Sequence, residues 1–482
     1  MYFKLPFHRL LALILFFCLN LTQMAFATLP DLGTPDLVTY DPQTEKKLGD
    51  AFSTVLHNQY PLVDDPESLS ILRHIGVTLS QQVSPPRTFT FYLIQSPEIN
   101  AFAGPNGIIG INTGLILKAN TEDELAAVMS HEMAHVTQQH LARNLNQQPQ
   151  IALTSFASLL AAILIGTQDP SAGFAAYLGS TGLNLQQQLK NSRLHEKEAD
   201  NIGMQYLSRA GYDPHAMANF FAKLSQEAQF DQSAPPEILL THPVTQNRLA
   251  EAENRASQLP AHPEHKSLDF EILKIRLRTL THTSLPVSTA ELSSSAQCYL
   301  KNLQWLMTND LKRTHPDLNC LKKSLKNNPQ HLYLRLLYAQ ILTQLEHLQL
   351  AQKQYTLLYN LYPHNSALIH HYSQFLAETH APNQAIHILK SALSDSSSDN
   401  PYLLYQTLSQ LYTMQNQVGY ADYYQAKAYQ TIGDHKRYQY LLRQAQKKLS
   451  PEDTKLKLEI QREINTIKET HQQRISISNT PL

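Results

Sequence analysis

The chain has 482 residues, 42% hydrophobic and 16% charged, with 39 basic against 40 acidic side chains. That length predicts two or more domains with buried cores and excludes a broadly disordered chain. The near-neutral charge carries no electrostatic footprint for nucleic acid, and three cysteines are too few for a disulfide framework or a cysteine-only zinc module.

Residues 1–27 read as a secretory signal peptide. Lys4, His8 and Arg9 precede an apolar run at 10–21 (LLALILFFCLNL), and AFA at 25–27 supplies a small-x-small cleavage signature. The run is well short of the roughly 20 residues a spanning helix needs, so the mature chain is expected outside the cytoplasm. Thirteen of the fifteen glycines lie before residue 212, which predicts a first half of mixed α and β structure and a second half of successive helices.

Residues 121–124 (TEDE) form a capping box, and the helix they start is apolar at Leu125, Val128, Met129 and Val136. Within it lies HEMAH at 131–135. Four residues make about one helical turn, so His131 and His135 face the same way and can grip one zinc ion at about 2.0–2.1 Å. Glu132 is offset from them, within reach of a water, as a general base must be. The pattern H-E-x-x-H arises by chance in roughly one chain of this length in twenty, so it needs a third ligand. A metzincin would carry glycine at 138 and histidine at 141; Gln138 and Leu141 exclude that class. Residues 192–200 (SRLHEKEAD) begin a further helix closed by Gly211 and Pro214. Glu196 there would complete a site of two histidines and one glutamate. Asp200, one turn on, would accept the far N–H of a ligand histidine. His195 and Glu198 are expected to point elsewhere, and His140 is expected to lie outside the ligand set.

The apolar run at 151–166 (IALTSFASLLAAILIG) is too short to span a bilayer. It suits a flap over the site, a core helix or an interfacial helix, and so allows a peripheral membrane contact. Residues 258–266 (QLPAHPEHK) look like a linker closing a domain at 28–265, with a connecting helix within 266–295. Beyond it the sequence repeats: Pro329 and Pro363, and likewise Ala351 and Ala385, are 34 residues apart. A 34-residue helical period with small residues at fixed positions is the tetratricopeptide signature. It predicts a repeat domain over 296–450, separable from the first half, and a C-terminal helix and tail over 451–482. Cys298 and Cys320 sit on adjacent predicted helices and are placed either to pair or to stay as buried thiols.

Taken together, NAFA at 100–103 with GIIGINTGL at 107–115, HEMAH, SRLHEKEAD, and THP at 241–243 followed by Arg248 resemble the periplasmic β-barrel assembly-enhancing (BepA-type) zinc metallopeptidases, within a larger group that includes the CAAX-prenyl endopeptidases. The likeness covers roughly residues 40–255, and the repeats extend it. It implies an α+β, mainly helical protein: a gluzincin-type peptidase domain with a small β-sheet, then an all-α tetratricopeptide domain. It implies one Zn2+ per subunit, ligated by His131, His135 and Glu196, with Glu132 as catalytic base. It further implies a substrate-pairing edge strand at Gly107, Ile108, Ile109, Gly110, Ile111 and Asn112. His242 would reach the zinc, either closing the site or stabilising the oxyanion. Arg248 would assist the oxyanion or pin its segment. The implied partners are misfolded or stalled outer-membrane proteins, with the β-barrel assembly machinery engaged through the repeats, in the periplasm. A chaperone or adaptor with a normally shut site is the alternative.

Overall fold

The computed structural model describes residues 41–146, 185–230, 236–281, 292–307, 315–394 and 398–478. The expected signal at 1–27 and the apolar run at 151–166 lie outside the described residues. Two helices open the described chain, α1 (Pro42–Gln59) and α2 (Pro66–Ser80), each with an aspartate cap, Asp41 or Asp65, and a proline in the first turn. A three-stranded sheet follows: β1 (Thr90–Ile94), β2 (Ala101–Ala103) and β3 (Ile108–Asn112), in the order β1-β3-β2.

This order corrects the expected edge strand at 107–112. Gly107 lies in a 3-10 turn, and Ile108, Ile109, Gly110, Ile111 and Asn112 form the central strand, parallel to β1 and antiparallel to β2, buried throughout. The reason is a tight hairpin: Asn106 and Gly107 both adopt left-handed φ values (58° and 74°) and return the chain along β2. Gly110 makes room for a side chain of the fold itself, since a Cβ there would stand 2.2 Å from the Phe102 ring. The outer side of β1 is covered by residues 61–63, through Val63 N–H to Leu93 O and Gln95 N–H to Pro61 O. Among the described residues, the open edge is the short stretch of β2 at 101–103; just before it Ile99 O accepts from Ile238 N–H at 3.1 Å.

After the sheet come α3 (Thr113–Lys118), α4 (Glu122–Thr137), α5 (His140–Asn146), α6 (Leu185–Arg209), α7 (His215–Phe230), the single turn α8 (Ile238–Thr241), α9 (Gln246–Ala256) and α10 (Leu268–Leu280). The Thr121 hydroxyl accepts from Glu124 N–H at 3.2 Å, while the Glu124 carboxylate takes the Asn120 N–H at 2.7 Å. The capping box thus closes one residue further back than expected.

The remaining described helices are α11 (Ser294–Met307), α12 (Leu318–Asn327), α13 (Leu332–Gln344), α14 (Leu348–Leu361), α15 (Ser366–Glu378), α16 (Pro382–Ser394), α17 (Pro401–Met414), α18 (Val418–Thr431), α19 (His435–Lys448) and α20 (Thr454–Ser478). α13–α14, α15–α16 and α17–α18 are hairpins of one design. Each turns on a single non-glycine residue in left-handed conformation: Glu346, His380 and Asn416. Ala351 and Ala385 are fully buried where the second helix of a hairpin meets its neighbours. A disulfide joins Cys298 on α11 to Cys320 on α12.

The two halves do not fold apart. Residues Thr39–Leu482 make one compact unit, and one hydrophobic cluster runs from Val63 to Ala421. α1 and α2 dock on the helical half: Ser70 Oγ meets Tyr333 Oη at 3.0 Å and Asn365 Nδ2 at 2.7 Å, and Arg437 donates to Asn58 at 2.8 Å. The polar loop at 258–266 is therefore no flexible spacer between independent bodies.

Candidate metal centre

α4 is buried almost all round, so its polar residues face other protein groups rather than solvent. His131 and His135, one turn apart, bring their Nε2 atoms to 3.0 Å from each other. α6 crosses α4 in close contact at Gly203: a Cβ there would lie 2.9 Å from Ser130 O and 3.0 Å from His131 Cα. Glu196, Asp200 and Gly203 occupy positions i, i+4 and i+7 on α6 and so share the face turned to α4. That approach sets Glu196 Oε1 3.4 Å from His135 Nε2 and Oε2 3.5 Å from His131 Nε2. His242, just past α8, places Nδ1 3.0 Å from Glu196 Oε1 and 3.4 Å from His131 Nε2.

One donor atom from each of His131, His135, Glu196 and His242 thus falls within 4.8 Å of all the others. Donors placed tetrahedrally at about 2.0–2.1 Å from a zinc ion stand about 3.3–3.4 Å apart, and the separations above match that edge length. Glu132 supplies a second indication. It is fully buried, neither carboxylate oxygen has a hydrogen-bond partner, and Oε1 lies 3.6 Å from His242 Nε2. An unmatched buried carboxylate is unfavourable by several kcal/mol on the order-of-magnitude scale for polar burial, and it fits a group that faces a cation and a reacting water. The residues present therefore fit zinc.

Without a bound cation the carboxylates of this cluster hold protons on the imidazoles. Burial alone would lower the pKa of His131, but the Asp200 and Glu196 carboxylates outweigh it and push it up to about 10. Burial would raise Glu196, yet His242 and His135 hold it well below the usual carboxylate range. Asp200 Oδ1 lies 3.0 Å from His131 Nδ1, on the side away from the donor cluster. Arg248 clamps Asp200 with two bonds, from Nε at 2.8 Å and Nη2 at 2.7 Å. Its Nη1 reaches Pro243 O at 2.8 Å and Glu196 Oε2 at 3.0 Å. The guanidinium also lies over the Phe221 ring, 4.8 Å from its centroid. With its nitrogens so engaged, Arg248 is placed to pin the 242–248 segment.

Two residues the sequence argument did not use also belong to this neighbourhood. Gly203 was detectable as the third member of the i, i+4, i+7 row. His140 was set aside, yet its Nδ1 lies 2.8 Å from His135 Nδ1 and its Nε2 lies 3.2 Å from Glu198 Oε2. Arg143 donates to the same Glu198 oxygen at 2.8 Å, and His195 stacks on His140 with ring centroids 4.3 Å apart. Along an unbroken helix, a residue five positions on would be turned about 140° away. Gln139, at φ 52°, breaks the helix and brings His140 back.

Two imidazoles and a glutamate of an H-E-x-x-H helix pair, with the motif glutamate left free, define a zincin-type metallopeptidase site. Residues 71–256 match the model of peptidase family M48. The chain is 39% identical over 250 residues to the beta-barrel assembly-enhancing protease of Escherichia coli K12, covering 52% of this chain and 51% of that protein. It is 38% identical over 252 residues to the putative beta-barrel assembly-enhancing protease of Vibrio cholerae, with the same coverage. Over 163 residues it is 31% identical to the mitochondrial metalloendopeptidase OMA1 of Schizosaccharomyces pombe, covering 34% of this chain and 45% of that one. The matched region spans about half the length of the beta-barrel assembly-enhancing relatives.

Proposed function

We propose that this chain is a zinc-dependent endopeptidase of the periplasm that assists assembly and quality control of outer-membrane β-barrel proteins. The observation that carries the reading is the buried, unpartnered Glu132 beside four converging donors, inside a domain whose relatives bear the name beta-barrel assembly-enhancing protease. His131, His135 and Glu196 would hold one zinc ion per chain, and the ion supplies Lewis-acid chemistry, polarising a carbonyl and acidifying water. Glu132 takes the proton of the attacking water and returns it to the leaving amine. Asp200, 3.0 Å from His131 Nδ1 and itself held by Arg248, would orient His131. An extended substrate would add to the uncovered edge of β2, against which α4 packs.

His242 completes the donor set, and a hydrolytic site needs one open position. In this reading His242 is a plug that leaves when substrate arrives. The same observation favours a second reading, a chaperone or adaptor whose site is usually shut. The helical half over 296–450 would be a tetratricopeptide scaffold that docks the assembly machinery or its clients. Among the described residues no helix is long and apolar enough to cross a membrane.

The test is metal analysis and casein digestion by the purified chain beside Glu132→Gln. One zinc in both proteins with proteolysis only in the wild type supports the peptidase. Wild-type proteolysis in Glu132→Gln would overturn it. His242→Ala then separates the roles of that residue: a plug predicts faster unregulated cleavage, whereas oxyanion stabilisation predicts a fall in kcat on the order of 10²–10³.

A further inference from the structure

We infer that His140, backed by Glu198 and Arg143, is a positioning relay for the metal ligand His135. The inference rests on the metal site proposed above. The roles follow from proton counting. A neutral imidazole that gives Nε2 to a metal carries its proton on Nδ1 and must donate it. The atom 2.8 Å from His135 Nδ1 is His140 Nδ1, which must therefore accept. The His140 proton then sits on Nε2 and is donated to Glu198 Oε2 at 3.2 Å. Glu198 is held in turn by Arg143 Nη1 at 2.8 Å. Each imidazole N–H in the chain His135–His140–Glu198 then has one acceptor, and the tautomer of His135 is set from outside the donor cluster.

The same device serves both histidines in different chemistry. Asp200, which Arg248 clamps, stands 3.0 Å from His131 Nδ1. His135 donates to an imidazole, and the carboxylate and arginine stand one step further out. α6 supplies the acidic partner in both cases, Asp200 and Glu198. His140 reaches its place only because the chain breaks at Gln139. With its ring bound on both nitrogens, His135 cannot rotate Nε2 out of the donor cluster.

The rival account is packing: His140 is buried and stacks on His195, so any change there could loosen α5 without involving a proton relay. The experiment separates the two on full-length protein loaded with zinc. It measures zinc release to a chromogenic chelator, the visible spectrum of the cobalt-substituted protein, and the unfolding midpoint. His140→Leu keeps bulk but removes the acceptor, and should release zinc on the order of 10–100-fold faster with a changed cobalt spectrum. His140→Asn can place Oδ1 where Nδ1 stood and should return release to within about threefold of wild type. Glu198→Ala, at a partly exposed position, should fall between them, with a smaller change in unfolding midpoint than His140→Leu. Equal release by His140→Leu and wild type, or no recovery in His140→Asn, overturns the relay. His135→Ala and Glu196→Ala, run alongside, should hold no zinc; retention there would fail the metal site itself and leave the relay without a ligand to position.

Discussion

Among the described residues, two buried ionic clusters share one plan and differ in how their carboxylates are matched. In each, an arginine grips two carboxylates: Arg248 holds Asp200 and Glu196, and Arg276 holds Asp65 and Glu67. At Arg276 the network closes on itself. Nη1 donates to Tyr299 Oη at 2.8 Å, and Glu67 also takes Gln340 at 3.1 Å and lies 3.3 Å from His371. Beside Arg248, three imidazole nitrogens and a carboxylate oxygen converge, and Glu132 makes no hydrogen bond. The arginine clamp is therefore a stabilising device common to both places. Chemistry is marked by the buried carboxylate without a hydrogen bond and the donors that converge.

That contrast can be broken or sharpened by substitution. The largest effect is expected at Glu132: its amide variant should lower proteolysis on the order of 10²–10⁴-fold while zinc content and unfolding midpoint stay put, checked by casein turnover and elemental analysis. Next comes Arg276→Met, which strands two buried carboxylates and should destabilise by about 3–5 kcal/mol without changing zinc per folded chain, read by denaturant unfolding and metal analysis of the folded fraction. Glu67 adds a pH signature. Burial would raise its pKa, but Arg276 and His371 outweigh burial and hold it low. Its contribution is thus complete above the ordinary glutamate range and is lost as pH falls through that range toward the depressed value. Glu67→Gln should flatten the acid limb of the stability profile. Gly203→Ala forces a methyl against the α4 backbone and should cost about 1–3 kcal/mol together with zinc affinity, which joins the two readouts that Arg276→Met keeps separate. The smallest effect belongs to His435→Ala, which removes an exposed partner of Asp50 on the α1 docking surface. It should shift stability by no more than about 1 kcal/mol, measured by thermal unfolding.

What could be read from the sequence was whatever a local period carries. HEMAH, Glu196 and Asp200 are spaced by helical turns, so their shared faces follow from counting, as do the repeat alanines Ala351 and Ala385. The strand segment at 107–112 was legible as β structure but not as a central strand, because pairing order depends on the return of the chain at Asn106 and Gly107. His140 lies outside the donor set, as expected, but its approach to His135 could not be counted, because one left-handed residue, Gln139, breaks the helical phase. The docking of α1 and α2 on the helical half leaves no periodic trace. Its partners, such as Ser70 with Tyr333 and Thr54 with Ile432, are 263 and 378 residues apart.

Those separations carry a consequence for the order in which the protein matures. α2 packs on α4 with one side and on α15 with another, so the helix bearing HEMAH has a wall that is itself braced by the C-terminal half. His435 meets Asp50 across 385 positions. A chain that emerges amino end first therefore exposes its hydrolytic motif long before the residues that brace it exist. Closing such long loops comes late and slowly in folding. The frame around the HEMAH helix is thus complete only once synthesis has passed Arg437, which reaches back to Asn58.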